Sequence, residues 1–209
     1  MRRILAATSA LGIAVGLLVS APAFAGPAVT IVSPGLLYAG TPFTLGFEFS
    51  VVNSATITAL GVYDDGQDGI SNPATVGLWD ISGTLLRSAT VPAGTTAPLI
   101  ADFRYTSIVP FTAVAGTDYI IGSYLGPDNA TSINNDQGGS GFYDANVIAI
   151  EDRFSETGNF SFPNLTDDFP AGAWLGGNFL FAQAVPEPAS LALVGAGLFG
   201  LVWVRRKRA

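Results

Sequence analysis

The chain predicts an all-β fold, an antiparallel β-sandwich of jelly-roll style, and three observations carry that expectation. The first is alternation: Phe43, Leu45, Phe47, Phe49 and Val51 interleave with Thr44, Gly46, Glu48 and Ser50, and a period of two buries one face of a strand. The second is a series of short runs rich in β-branched and aromatic residues. They are Ala28 to Val32, Thr56 to Tyr63, Thr75 to Asp80, Leu85 to Val91, Ile100 to Tyr105, Ile108 to Val114, Tyr119 to Leu125, Val147 to Ile150 and Asn178 to Ala184. The third is turn chemistry between them. Ser33-Pro34-Gly35, Asp64-Asp65-Gly66, Ser82-Gly83, Pro92-Ala93-Gly94 and Gly138-Gly139-Ser140-Gly141 supply the fixed or positive φ that tight turns need. Strands at this spacing build a sandwich, with a closed barrel as the alternative. Ser155 to Ala173 reads as a long loop from which Phe160, Phe162 and Phe169 drop into the core.

Both ends are set apart from this pattern. Met1-Arg2-Arg3 is a positive n-region, Ile4 to Val19 an apolar stretch, and Ala23-Phe24-Ala25 an A-x-A site. Residues 1–25 therefore read as a secretory signal peptide, cut between Ala25 and Gly26. At the other end, Val185-Pro186-Glu187-Pro188 precedes an uncharged apolar run, 191–204, and then Arg205-Arg206-Lys207-Arg208. The two prolines fix φ and remove N–H donors, so the stretch before Ala189 is expected to be extended and open to an enzyme. As a helix, 189–204 would measure about 24 Å against a hydrocarbon core of about 30 Å. Such a short transmembrane helix holds by local thinning and by cations reaching the headgroups. The basic cluster acts as the membrane stop and stays cytoplasmic, which puts the preceding domain, 26–184, outside.

A Pro-Glu-Pro motif, a short apolar helix and an Arg-rich end, in that order over 185–209, resemble the C-terminal sorting signal of PEP-CTERM exported proteins. The resemblance implies processing by an exosortase near the motif. It further implies passage through the secretion machinery and the inner membrane of a Gram-negative bacterium, then delivery to the cell surface or an exopolysaccharide matrix.

Composition narrows what the domain between the ends does. All but Glu187 of the 16 acidic residues lie there, against three basic residues, Arg87, Arg104 and Arg153. Nucleic acid is excluded as a partner, because its binding rests on Lys and Arg neutralising phosphates. The sequence has no Cys and no His. Disulfides, thiol nucleophiles and Ser-His-Asp or Cys-His mechanisms are therefore out of reach. A pair of carboxylates, as in glycoside hydrolysis, is the enzymatic option that survives.

The most distinctive internal stretch is Leu60-Gly61-Val62-Tyr63-Asp64-Asp65-Gly66-Gln67-Asp68-Gly69, followed by Val76-Gly77-Leu78-Trp79-Asp80. With Phe103-Arg104-Tyr105 and Tyr119-Ile120-Ile121-Gly122, it resembles an uncharacterised domain family found on exported bacterial proteins. That resemblance implies a β-sandwich and transfers no activity. Asp64, Asp68 and Gly69 match positions 1, 5 and 6 of a Ca²⁺ loop, but Gly66 and Thr75 stand where the third and twelfth ligands belong, which rules out an EF-hand. Asp64, Asp65 and Asp68, with Asp80, are the candidate Ca²⁺ ligands, set against an ordinary solvated turn. Asn134-Asn135-Asp136-Gln137-Gly138-Gly139, between Tyr124 and Phe142-Tyr143, sets amides beside rings as sugar-binding faces do, or is a plain surface loop. The expectation is a non-enzymatic surface or matrix protein with no catalytic residues. A carbohydrate-binding module is the first alternative and a carboxylate-dependent glycoside hydrolase the second.

Overall fold

The computed structural model describes residues 24–35, 37–38, 42–124, 132–133, 138–167 and 174–182. The signal segment before Phe24, the amide loop 134–137, Phe169 and everything from Gln183 onward, including the sorting motif, the transmembrane stretch and the basic stop, lie outside the described residues. No helix among the described residues is long and apolar enough to cross a membrane.

Fourteen strands are described: β1 (Phe24–Pro27), β2 (Val29–Ser33), β3 (Leu37–Tyr38), β4 (Thr44–Val51), β5 (Ala55–Tyr63), β6 (Ala74–Asp80), β7 (Leu85–Val91), β8 (Leu99–Ile100), β9 (Phe103–Ala113), β10 (Asp118–Tyr124), β11 (Ser132–Ile133), β12 (Ser140–Tyr143), β13 (Val147–Ser155) and β14 (Gly177–Ala182). They form two five-stranded sheets, in the orders β1-β14-β5-β9-β8 and β13-β4-β10-β6-β7, with two small ribbons, β11-β3 and β12-β2. Every pairing is antiparallel. The fold is the antiparallel sandwich that the alternation predicts, and separate sheet edges distinguish it from a closed barrel.

The alternation in β4 sets the core. Leu45, Phe47, Phe49 and Val51 point between the sheets and are at most 1 % exposed. Phe49 lies 4.7 Å from Phe179 of the opposite sheet, ring centre to ring centre. The other face of β4 is buried as well, which period-two patterning does not foretell. Gly46, Gly122 and Gly77 stand side by side across β4, β10 and β6. This strip without side chains admits the Trp79 ring, and Phe160 and Pro163 from the loop after β13 come within contact of where a Cβ would sit. Phe160 packs on Trp79 at 5.2 Å and Phe162 at 6.3 Å. The two phenylalanines expected in the core therefore cover the outside of the second sheet instead.

Two further expectations need correcting. Ile100 to Tyr105 and Ile108 to Val114 are not separate strands. One long strand, β9, runs from Phe103 to Ala113, with only Leu99 and Ile100 pairing beside its start. Pro110 sits in the stretch of β9 beyond β8, where a missing N–H breaks no ladder bond. Val147 to Ile150 likewise extends to Ser155, through a bulge between Ala149 and Glu151.

Both seams of the sandwich are closed by side chains. Arg87 of β7 donates to Val109 O at 2.9 Å and Pro110 O at 3.2 Å, covering the free edge of β9. On the other side Asn178, fully buried, stands in for a strand neighbour. Its Oδ1 accepts from Val29 N at 3.1 Å, and its Nδ2 donates to Val29 O at 2.7 Å. These bonds fasten the β2-β12 ribbon over the gap, and Tyr143 of that ribbon inserts to 5.8 Å from Phe47.

Candidate functional site

Of the four candidate Ca²⁺ ligands, Asp64 is the most deeply placed, at 3 % exposed, and its carboxylate is already engaged. Oδ2 accepts from Arg104 Nε at 2.5 Å, and Oδ1 accepts from Gly69 N at 3.1 Å. Arg104, itself 4 % exposed, has every nitrogen satisfied. Nη1 donates to Thr95 O and Ala97 O, and Nη2 donates to Gln67 O, each at 3.0 Å. Asp65 instead accepts from Tyr63 Oη at 3.0 Å. Asp68 is exposed. Asp80, at the far end of β6, caps its own turn by accepting from Ser82 N, Ser82 Oγ and Thr84 N. The Ser82 hydroxyl, then the Thr84 N–H, hold its carboxyl below the ordinary carboxylate range. Among the described residues no group of three or more carboxylates gathers where a metal ion could sit. Arg104 takes Asp64, Tyr63 takes Asp65, Asp80 caps its own turn and Asp68 stays exposed, so the four do not converge.

Strain collects around that ion pair. Gln67, Ala101 and Asp102 adopt φ of 61°, 48° and 64°, and they are the positive-φ non-glycine residues of the described chain. Gln67 Nε2 donates to Asp102 Oδ1 at 2.5 Å and Asp64 N donates to Asp102 O at 2.8 Å, so the two strained turns hold each other. Tyr63 and Tyr105 lie beside the pair on β5 and β9. Burial, then the hydrogen bond to Asp65, raises the Tyr63 hydroxyl above its ordinary pKa, and burial raises Tyr105.

A different group of residues forms an opening. The bulge in β13 resets the parity of that strand, so that Glu151 and Arg153 lie opposite Glu48 and Gly46 on the outer face while Asp152 and Phe154 turn inward opposite Phe47 and Leu45. Outside, Arg153 pairs with both Glu48 and Glu151. Inside, Asp152 accepts from Thr166 Oγ1 at 3.2 Å and Asp167 N at 3.0 Å. Together with the bridge between Phe154 and Leu165, these bonds hold the returning loop against β13. A cleft of about 180 Å³ results, walled by Tyr38, Phe43, Phe154 and Trp174 over Leu45, with Glu156 and Asp167 also lining it. Trp174 is fixed by its 3.2 Å hydrogen bond from N to Gly46 O and by an edge-on contact with Tyr38, 4.8 Å between centres. Its side-chain Nε1 is buried and has no hydrogen-bond acceptor among the described residues. Ser123 and Tyr143 also carry buried hydroxyls without partners among the described residues, but neither lines the cleft. Burial pushes the Tyr143 hydroxyl up to about 12.

Of the expected sugar face, the amides 134–137 lie outside the described residues, and its flanking rings are spread apart. Phe142 is 70 % exposed on the β12 ribbon, Tyr143 turns into the core, and Tyr124 Oη donates to Gly158 O at 2.8 Å. Aromatics converge instead from three stretches of the chain, 38–43, 154 and 174, which no local spacing announces.

The cleft and the chain ends occupy opposite poles. Leu45 and Phe154 belong to the Thr44 end of the second sheet, where Ser155 faces Thr44. Gly177, at the start of β14, lies against Gly122 of that same end. β14 then runs about 17 Å to Ala182, which pairs with Phe24 of β1. The expected signal-peptide junction, after Ala25, falls within β1.

The family described as Domain of unknown function (DUF4082) matches residues 34–181, and the PEP-CTERM protein-sorting motif matches 184–207. The chain belongs to the DUF4082 family and is an exported protein, carried through the membrane to the cell surface by an exosortase-read tail. No curated protein matches it.

Proposed function

We propose that this member of the DUF4082 family is a non-enzymatic display module, which holds on to the exopolysaccharide surrounding a Gram-negative cell after its tail has delivered it there. The observation that carries the reading is polarity: the tail leaves beside β1 at one end of the sandwich, and the aromatic cleft opens at the other. A domain held by its tail beyond Ala182, until that tail is cut, presents the cleft outward, towards the matrix rather than the membrane. The acidic balance of the domain favours a neutral polymer over a polyanion, since like charges across an interface suppress binding.

Two measurements test it. Protein recovered outside the cell begins at Gly26 and lacks Arg205 to Arg208 by intact mass, whereas replacing Pro186, Glu187 and Pro188 with Ala holds the chain in the inner membrane. The released protein also co-sediments with its host's exopolysaccharide without generating new reducing ends. Protein that stays in the supernatant ends the matrix reading. Reducing ends that disappear on a single Asp or Glu substitution replace it with glycoside hydrolysis.

A further inference from the structure

We propose that β14 locks the signal-peptide junction: once it has paired with β1, the Ala25–Gly26 bond is closed to signal peptidase, so that cut has to come before the last strand of the domain folds. The proposal goes beyond the display reading and rests on residues 1–25 being a signal peptide.

The step itself is hydrolysis. Water adds across the Ala25–Gly26 amide, leaving a carboxylate on Ala25 and an ammonium group on Gly26. An enzyme that performs it must hold the chain extended on both sides of that bond, in the manner of an added strand.

In the folded chain that position is taken. Phe24 pairs with Ala182 and Pro27 with Leu180, so Ala25 and Gly26 oppose the single residue Phe181 and the scissile bond sits at a bulge inside the ladder. Burial begins directly beyond it. Ala28 and Val29 are fully buried. Ala28 N donates to Phe179 O at 2.9 Å, and Val29 N donates to Asn178 Oδ1 at 3.1 Å. Only Gly26 and Pro27 separate the bond from the interior. Extended, they reach roughly 7 Å, too short a lead for a protease cleft to close around without meeting the body of the domain. Fraying of Phe24 to Pro27 does not release the bond, because Ala28 and Val29 stay pinned by β14 and opening has to spread into that strand.

Chain order turns this closure into a sequence of events. β1 is the first described strand and β14 the last, so the strand that covers the junction is the final part of the sandwich to cross the membrane behind the signal peptide. Until it arrives the junction is free. The tail carries no such constraint: β14 ends at Ala182 and the sorting motif starts at Val185, past the last pair of the ladder. Signal removal therefore belongs to the unfolded chain, and tail removal is compatible with the folded one.

The test uses the full-length uncut chain, synthesised in vitro and folded in detergent, with signal peptidase purified from a Gram-negative inner membrane and intact mass as the readout. Two variants accompany the parent. One carries a Gly-Ser spacer of about four residues, roughly 14 Å when extended, between Gly26 and Pro27. The other is Phe179→Asp, which places a charge at a fully buried position of β14 and keeps that strand from docking. Both variants are cut after Ala25 about tenfold faster than the folded parent or more, since cleavage of a closed site follows the small population that opens, and the spacer variant keeps the parent's cooperative melt. A parent cut as fast as the variants, or either variant cut as slowly as the parent, overturns the lock. Cutting after Ala25 in any of the three leaves the signal-peptide reading in place, whereas no cut in any of them removes that reading together with the lock.

Discussion

The Asp64 corner and the Trp174 cleft share one end of the sandwich, linked by the 2.9 Å hydrogen bond from Tyr63 N to Gly176 O, yet they treat buried polar atoms differently. In the corner every nitrogen of Arg104 and both oxygens of Asp64 have partners, and three residues are held at positive φ to make that closure possible. Beside the cleft the Trp174 N–H is buried and has no acceptor among the described residues. Completed networks make structure, since a charge that is fully paired has nothing to offer a ligand. Incomplete ones leave interaction energy for something that arrives later. The difference leaves Trp174, not Asp64, with a buried polar atom still unmade among the described residues.

The largest effect should come from breaking the closed corner. Arg104→Met leaves the Asp64 carboxylate buried without its cation, which costs about 3–5 kcal/mol. At roughly 2–4 °C per kcal/mol for a domain of this size, the melting temperature falls by about 6–20 °C. A melt within about 2 °C of the parent would show that the pair is not what holds the corner.

Alkali should attack the same region. Tyr63 and Tyr105 have folded pKa values raised above the ordinary 10, so the unfolded chain releases these protons first. Their contribution is intact below about pH 10 and is lost as pH rises beyond it, by at most about 1.4 kcal/mol per pH unit for a fully buried tyrosine. Melting temperatures recorded from pH 8 to 11 should be flat and then fall, and the fall should shrink in Tyr105→Phe. A melting temperature that stays flat to pH 11 would contradict the burial.

The smallest effects belong to exposed carboxylates. Glu156→Gln and Asp68→Asn should each shift stability by no more than about 0.5 kcal/mol. Ca²⁺ and Mg²⁺ should raise the melting temperature equally, by screening alone, and equally in Asp68→Asn. A Ca²⁺-specific shift abolished in that variant would return the Asp64 loop to the role of ion site and undo the contrast.

The strands were legible because burial on one face writes a period of two into the residues, as Phe47 and Phe49 show. What covers the outer face was not, because Gly46, Gly77 and Gly122 come from three strands and make a strip only once their registers are aligned. The Asp64 pairing left a trace that could have been followed: Arg104 is one of three basic residues between the ends and stands between Phe103 and Tyr105 in a run of strand residues, where a cation must find a partner. The cleft left no comparable trace. Tyr38, Phe43, Phe154 and Trp174 meet through the fold, and the bulge that turns Phe154 inward depends on pairing with β4, which local patterning does not record.

β14 also has a mechanical meaning. Trp174 stands three residues before Gly177, and the sorting tail follows Ala182, so a pull applied between the two poles travels along this one strand. β1 and β5 flank it, and their hydrogen bonds lie across the direction of pull. Loaded that way, the bonds resist together in shear rather than opening one after another like a zipper, and β14 serves as a single tie-rod between the two poles.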